Sequence, residues 1–151
     1  MKKIQTCLWY DGNGHEAAEY YVSVFKNRGD TRITGSAPGP DGKPLVVTFR
    51  LAGVDYMALN GGTYYKLTPA ASISVECDTQ EEIDEYWDKL LAGGEPSHCG
   101  WLTDRFGLSW QIVPTMLSQL VADPVRGPKA MGAVMTMIKL DIAKIEAAAN
   151  T

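Results

Sequence analysis

The stretch SISVECDTQEEIDEYWDKLLAGG, residues 72–94, holds a strand, a cap, a helix and a stop in succession. SISVEC alternates, with Ile73, Val75 and Cys77 on one side and Ser72, Ser74 and Glu76 on the other, the period of a half-buried strand. Thr79 followed by Glu82 forms a capping box, each side chain bonding the other's backbone N–H. Ile83, Tyr86, Trp87, Leu90 and Leu91 then recur at helical spacing as one apolar stripe. Gly93 and Gly94 end it. The helix buries that stripe on the apolar side of the strand, which leaves Ser72, Ser74 and Glu76 turned away from it.

The same order stands at the start of the chain. KIQTCLWY, residues 3–10, is rich in strand formers and runs into the turn signal DGNG. Asn13 and Glu16 are placed as a second capping box, and Ala17, Tyr21, Val24 and Phe25 as a second stripe. DTRITGSA (30–37) reads as a strand and PGPDGKP (38–44) as a hairpin loop. LVVTFRLAGVDYMALNGG (45–62) reads as two strands joined near Ala52 and Gly53. A shift of 66 lays Glu16 on Glu82, Tyr20 on Tyr86, Tyr21 on Trp87, Val24 on Leu90 and Phe25 on Leu91. A shift of 54 lays Gly53 on Gly107, Val54 on Leu108 and Tyr56 on Trp110, the difference of 12 being the long hairpin loop. The chain is an internal repeat, β-α-β-β-β twice.

The expected class is therefore α+β: two βαβββ modules whose curled mixed sheets form a cavity, plus C-terminal helices. The modules occupy 1–114 (1–62 and 70–114), and 115–151 is a helical extension. Pro128 suits a first helical turn. Met131, Val134, Met135, Ile138, Ile142 and Ile145 continue as a stripe to be packed on the chain's own modules or on a partner subunit. In LSWQIV, residues 108–113, alternation sends Leu108, Trp110 and Ile112 under the helix and leaves Ser109, Gln111 and Val113 on the other face. The inward face so defined carries hydroxyls and an amide where a packed core carries leucines.

Bulk properties exclude several classes. The 151 residues, 45% hydrophobic and 21% charged, are those of one globular domain or two small modules. A net charge of −4 offers no basic face to nucleic acid or anionic lipid. Apolar runs are too short to span a bilayer, and the start MKKIQTCLWYDGN lacks the apolar core of a signal peptide. Cys7, Cys77 and Cys99 are odd in number and lack metal-ligand spacing, which reads as reduced, buried thiols in the cytoplasm.

The motifs ALNGG (58–62), TPAASISVECDTQEEIDEYWDKL (68–90), CGWLTDRFGLSWQIVP (99–114) and MGAVMTMIKLDIAKIEAA (131–148) resemble the PhnB-like branch of the vicinal oxygen chelate superfamily. That superfamily includes glyoxalase, dioxygenases and antibiotic-resistance proteins; many members of the branch carry the label 3-demethylubiquinone-9 3-methyltransferase. The resemblance implies that metal-dependent relatives project His or Glu inward from the first and last strand of each module, holding an ion that polarises substrate oxygens. The matching positions here are Thr6 and Ser72, then Met57 (or Ala58, if the first module slips by one residue) and Gln111. Neutral hydroxyls, a thioether and an amide are poor ligands for Mg²⁺, Mn²⁺ or Zn²⁺. The expected reading is a binding protein with no metal and no cofactor, taking a small organic ligand through Thr6, Met57, Ser72, Ser74, Ser109 and Gln111, and forming a cytoplasmic homodimer.

Other candidates are weaker. Glu76 is the one carboxylate nominated as a general base. His15 lies in the first turn of a helix. His98 and Cys99, as strand neighbours, point to opposite faces and so form no nucleophile–base pair. A turn-stabilising Asp104 and a surface ion pair explain Asp104 and Arg105. Tyr10, Tyr56, Trp101 and Trp110 supply aromatic walls or core, alternation favouring core for Tyr56 and Trp110. Gly61–Gly62 leads to no helix and Gly93–Gly94 follows one, so neither forms the strand-to-helix glycine turn of an S-adenosylmethionine pocket. The alternatives are an enzyme of the superfamily (lyase, isomerase, dioxygenase or methyltransferase) and a protein that sequesters a toxin or antibiotic stoichiometrically.

Overall fold

The computed structural model describes residues 4–151; the basic start Met1–Lys3 lies outside the described residues. The chain divides into two compact units, Met1–Leu67 and Thr68–Thr151. The first holds β1 (Thr6–Tyr10), α1 (Gly14–Val24), β2 (Arg32–Pro38), β3 (Pro44–Leu51) and β4 (Val54–Asn60). The second holds β5 (Ser72–Cys77), α2 (Gln80–Leu91), β6 (Glu95–Pro96), β7 (Trp101–Thr103), β8 (Ser109–Pro114), α3 (Thr115–Val121), α4 (Arg126–Val134) and α5 (Ile142–Ala149). Each unit builds an open four-stranded mixed sheet, in the orders β1-β4-β3-β2 and β5-β8-β7-β6. The first strand of each lies parallel to the last, and the other pairs are antiparallel. The fold class is the α+β duplication that the repeat announces.

Each sheet has one helix on one face. α1 packs on β3 and β4, burying Ala17, Ala18, Tyr21 and Val24 against Val47, Phe49, Tyr56 and Ala58. α2 packs on β8, β7 and β5, burying Ile83, Tyr86, Trp87 and Leu90 with Val75, Cys77, Leu102, Trp110 and Ile112. Trp110 is fully buried, and its indole N–H donates to Asp104 Oδ2 at 2.8 Å. Asp104 Oδ1 accepts the backbone N–H groups of Phe106 (2.8 Å) and Leu108 (3.1 Å). Asp104 is thus a buried acceptor that closes the β7–β8 turn, the turn-stabilising role expected of it.

Several local expectations change. The Thr79 cap of α2 holds, Glu82 N donating to Thr79 Oγ1 at 3.2 Å. Asn13 makes no side-chain cap. The N–H of Gly14 donates instead to Asn60 Oδ1 at 2.8 Å, so a residue at the end of β4 caps α1. A Cβ at position 14 meets that oxygen at 2.7 Å, which is why the cap needs glycine beneath it. His98 and Cys99 lie in the turn between β6 and β7 rather than in a strand, with Cys99 at φ 60°. Of the cysteines Cys77 is buried, whereas Cys7 is exposed and Cys99 half-buried.

The C-terminal stripe is not one helix. The segment between α4 and α5 turns so that Met137 and Ile138 accept the backbone N–H groups of Cys99 and Gly100, each at 2.8 Å. Asp141 then caps α5 through Lys144 N at 3.1 Å. Val134, Leu140 and Ile145 are buried with Leu117, Leu120 and Ala130, while Met135 and Ile138 are exposed. Gln80 ties this segment to α2 of the same chain, donating to Leu140 O (3.0 Å) and accepting from Ile142 N (2.9 Å). Among the described residues no helix is long and apolar enough to cross a membrane.

Candidate functional site

In the second sheet the register assigns the face turned away from α2 residue by residue. Ser72 pairs Ser109, Ser74 pairs Gln111 and Glu76 pairs Val113. Trp101 pairs Gln111 and Thr103 pairs Ser109, and Glu95 pairs Thr103. Directly paired residues share a face. The face therefore carries one polar row, Glu95–Thr103–Ser109–Ser72, and beside it Trp101–Gln111–Ser74, then Val113–Glu76. Ser72, Ser74, Ser109, Gln111 and Glu76 come together as alternation requires. Alternation along one strand could not supply Trp101, Thr103 and Glu95, because β6 and β7 are too short to read and only their pairing brings them in.

The donors of this face are unevenly used. Gln111 Nε2 donates to Ser72 Oγ at 2.9 Å, crossing diagonally from β8 to β5. Ser109 is 1% exposed, and among the described residues its hydroxyl has no hydrogen-bond partner. A buried hydroxyl without a partner costs about 1–3 kcal/mol. Gln111 and Ser72 are only half-buried, so the amide oxygen of Gln111 remains an acceptor on an accessible part of the same face.

In the first sheet the corresponding face is finished differently. Arg50 donates to Asp55 and to Asp30, each at 2.6 Å, and Arg32 to Asp30 at 2.9 Å. The hydrogen bond from Arg50 holds the Asp30 carboxyl below the usual carboxylate range, with Arg32 adding to it. Thr48 and Met57 share the next row, then Val46 and Leu59. Trp9 N–H donates to Gly62 O at 2.9 Å, and its ring meets Tyr65 edge-on at 5.0 Å.

The register corrects one predicted position. Thr6 pairs Tyr56, so it lies on the face of Leu8, Tyr10 and Ala58 that α1 covers; the partner of Met57 is Cys7. The reason is one loop residue. Three residues join β1 to α1 and two join β5 to α2, so the strands match at a shift of 67 although the helices match at 66. A slip of one residue exchanges the two faces of a strand. The counterpart of Ser72 is then Gln5, just before β1, while Met57 keeps its match to Gln111 and Ala58 lies under α1.

These positions do not suit a resident cation. Gln5, Met57, Ser72 and Gln111 offer two amides, a thioether and a hydroxyl, none of them anionic. Among the described residues no group of three or more His, Cys, Asp or Glu side chains is arranged to hold a metal ion. A concavity of about 660 Å³ lies elsewhere in the second unit, lined by Gln80, Asp84, Lys139 and Lys144. There Lys139 pairs Asp84 at 2.8 Å and Gln80 bonds Leu140 and Ile142. The polar face of the second sheet is the better candidate because it holds an unpartnered buried hydroxyl.

The family model described as 3-demethylubiquinone-9 3-methyltransferase matches residues 2–113. The PhnB protein from Bacillus cereus is 30% identical, over 76% of this chain and 100% of that one, with a TM-score of 0.68. A Pseudomonas aeruginosa protein is 20% identical, over 76% and 98%, with a TM-score of 0.62. The fosfomycin resistance protein FosX of Listeria monocytogenes, complexed with Mn(II) and sulfate, is 18% identical, over 74% and 92%, with a TM-score of 0.53. At those last two identities the likeness is one of fold. No curated protein matches the chain. The chain belongs to the 3-demethylubiquinone-9 3-methyltransferase family, in the PhnB-like branch of the vicinal oxygen chelate superfamily.

Proposed function

We propose that this PhnB-like protein binds a small organic molecule in a cavity lined by the polar face of its second sheet, through hydrogen bonds and without a metal ion. The observation that carries the reading is the Ser109 hydroxyl, buried and unpartnered beside the Gln111–Ser72 pair. A ligand atom that accepts from Ser109 removes the desolvation cost that the free protein bears there. The Gln111 amide both donates and accepts, so it selects by hydrogen-bond pattern, and Trp101 in the same row offers a ring face. Ser72 and Ser74 complete the polar lining. Met57, on the matching face of the first sheet, and Thr6, exposed at the end of β1 on the opposite face, are lesser or no contributors.

The absence of an anionic donor among Gln5, Met57, Ser72 and Gln111 supports the metal-independent part of this reading. The assembly we favour is a cytoplasmic homodimer, with the exposed Val121, Val125, Met135 and Ile138 as the apolar surface available to it. Amide spectra of chelator-treated protein, titrated with a library of small polar aromatics, test the binding claim. The expected result is ligand-induced shifts at Ser72, Ser109 and Gln111, including the Gln111 side-chain amide. Shifts that require added Mn²⁺ or Zn²⁺, or a library that moves none of these resonances, contradict it. Saturable binding of S-adenosylmethionine would instead favour the methyl-transfer activity in the family's description.

A further inference from the structure

Resting on that reading, we infer that the ligand pairs an aromatic ring with a positively charged amine, and that Glu95 is the residue that selects for the amine. The register places Glu95 at the end of the row Glu95–Thr103–Ser109–Ser72, on the same face as Trp101, Gln111 and Ser74. No Lys, Arg or His stands at any of these positions or at Val113 and Glu76, which complete the face. The two charges that the face carries are both carboxylates. A cation brought beside Glu95 meets an opposite charge, whereas an anionic group placed there meets a like one.

Geometry adds a length. Diagonal neighbours on adjacent strands stand about 7–8 Å apart, and Trp101 and Glu95 are such a pair, Trp101 lying two residues before Thr103. An aryl ring stacked on Trp101 and joined to an amine by a two-carbon arm covers that diagonal. The ring edge then reaches the Gln111 amide beside it. Ser109, 1% exposed and unpartnered two strands from Glu95, is the independent sign that the row is built for a guest.

Three indoles with the same ring separate charge from shape: tryptamine (cation), tryptophol (neutral) and indole-3-acetate (anion). Each is titrated into chelator-treated protein and into Glu95→Gln, followed at Ser72, Ser109 and Gln111. Tryptamine is expected to bind about tenfold more tightly than indole-3-acetate, a preference that collapses to near parity in Glu95→Gln while tryptophol is unchanged. Equal binding of all three at these residues overturns the selection by charge and leaves the hydrogen-bonding face standing. A preference for tryptamine that survives in Glu95→Gln overturns the role of Glu95. Tightest binding by indole-3-acetate, or silence of all three at these residues, overturns the inference; the reading beneath it falls only if the wider library also moves none of them.

Discussion

The two sheets share an order, a pairing pattern and a helix on one face, yet finish their other faces in opposite ways. Where the first sheet sets Arg50 opposite Asp55, the second sets Thr103 opposite Ser109. Arg50 reaches two carboxylates at 2.6 Å, so the first face satisfies itself. The second leaves a buried hydroxyl unsatisfied. Under the helices the contrast reverses. Leu51 is apolar at the end of β3, while its counterpart after β7 is Asp104, which takes the Trp110 indole. Duplication supplies two equivalent sheets, and the second keeps an unpartnered hydroxyl on the face turned from its helix; a second such buried atom, His15 Nδ1, lies on α1 of the first unit, away from the sheet face.

The comparison breaks most visibly at Asp104. Asp104→Leu, which copies Leu51, strands the Trp110 N–H and two backbone N–H groups and is expected to cost about 2–4 kcal/mol in urea unfolding. An unchanged midpoint shows that the buried carboxylate is not what closes the turn. Next, Gln111→Ala removes the amide but leaves the fold, and weakens binding of whichever library compound shifts Ser109 by about tenfold, roughly 1.4 kcal/mol. Unaltered affinity by calorimetry places the ligand elsewhere.

Ser109→Ala carries opposite signs in its two readouts. It deletes an unpartnered buried hydroxyl, so stability rises by up to about 1 kcal/mol while ligand affinity falls. Loss of stability instead shows that the hydroxyl has a protein partner. The smallest effect belongs to the exposed pair Asp84–Lys139, where Lys139→Ala costs about 0.5 kcal/mol. The hydrogen bond from Lys139, aided by Gln80, holds the Asp84 carboxyl below its ordinary value. A lowered folded pKa stabilises above the unfolded value of about 4 and is lost as pH falls through the folded one, so the variant's deficit shrinks in strong acid. A deficit constant down to the acid transition contradicts the pairing.

Much of this was legible where pattern is local. SISVEC is a strand with the bounds its alternation gives, Thr79 caps α2, and Ala52–Gly53 turns between two strands. The features that escaped depend on distant residues. The cap of α1 comes from Asn60, 46 residues away. The face of Thr6 turns on a single extra loop residue, invisible to a shift measured on the helices. The stripe from Met131 to Ile145 has helical spacing, yet backbone bonds from Cys99 and Gly100 to Met137 and Ile138 break it into two helices. Glu95 and Trp101 join the polar face only through strands of two and three residues, too short for periodicity to register.

The most direct test of the central claim is the metal content of untagged protein purified without chelator, by elemental mass spectrometry, for the native chain and Gln111→Ala together. Mn, Fe, Ni and Zn are expected far below stoichiometry in both. Near-equimolar metal in the native protein that disappears from Gln111→Ala would contradict it, because the amide would then be a ligand to an ion.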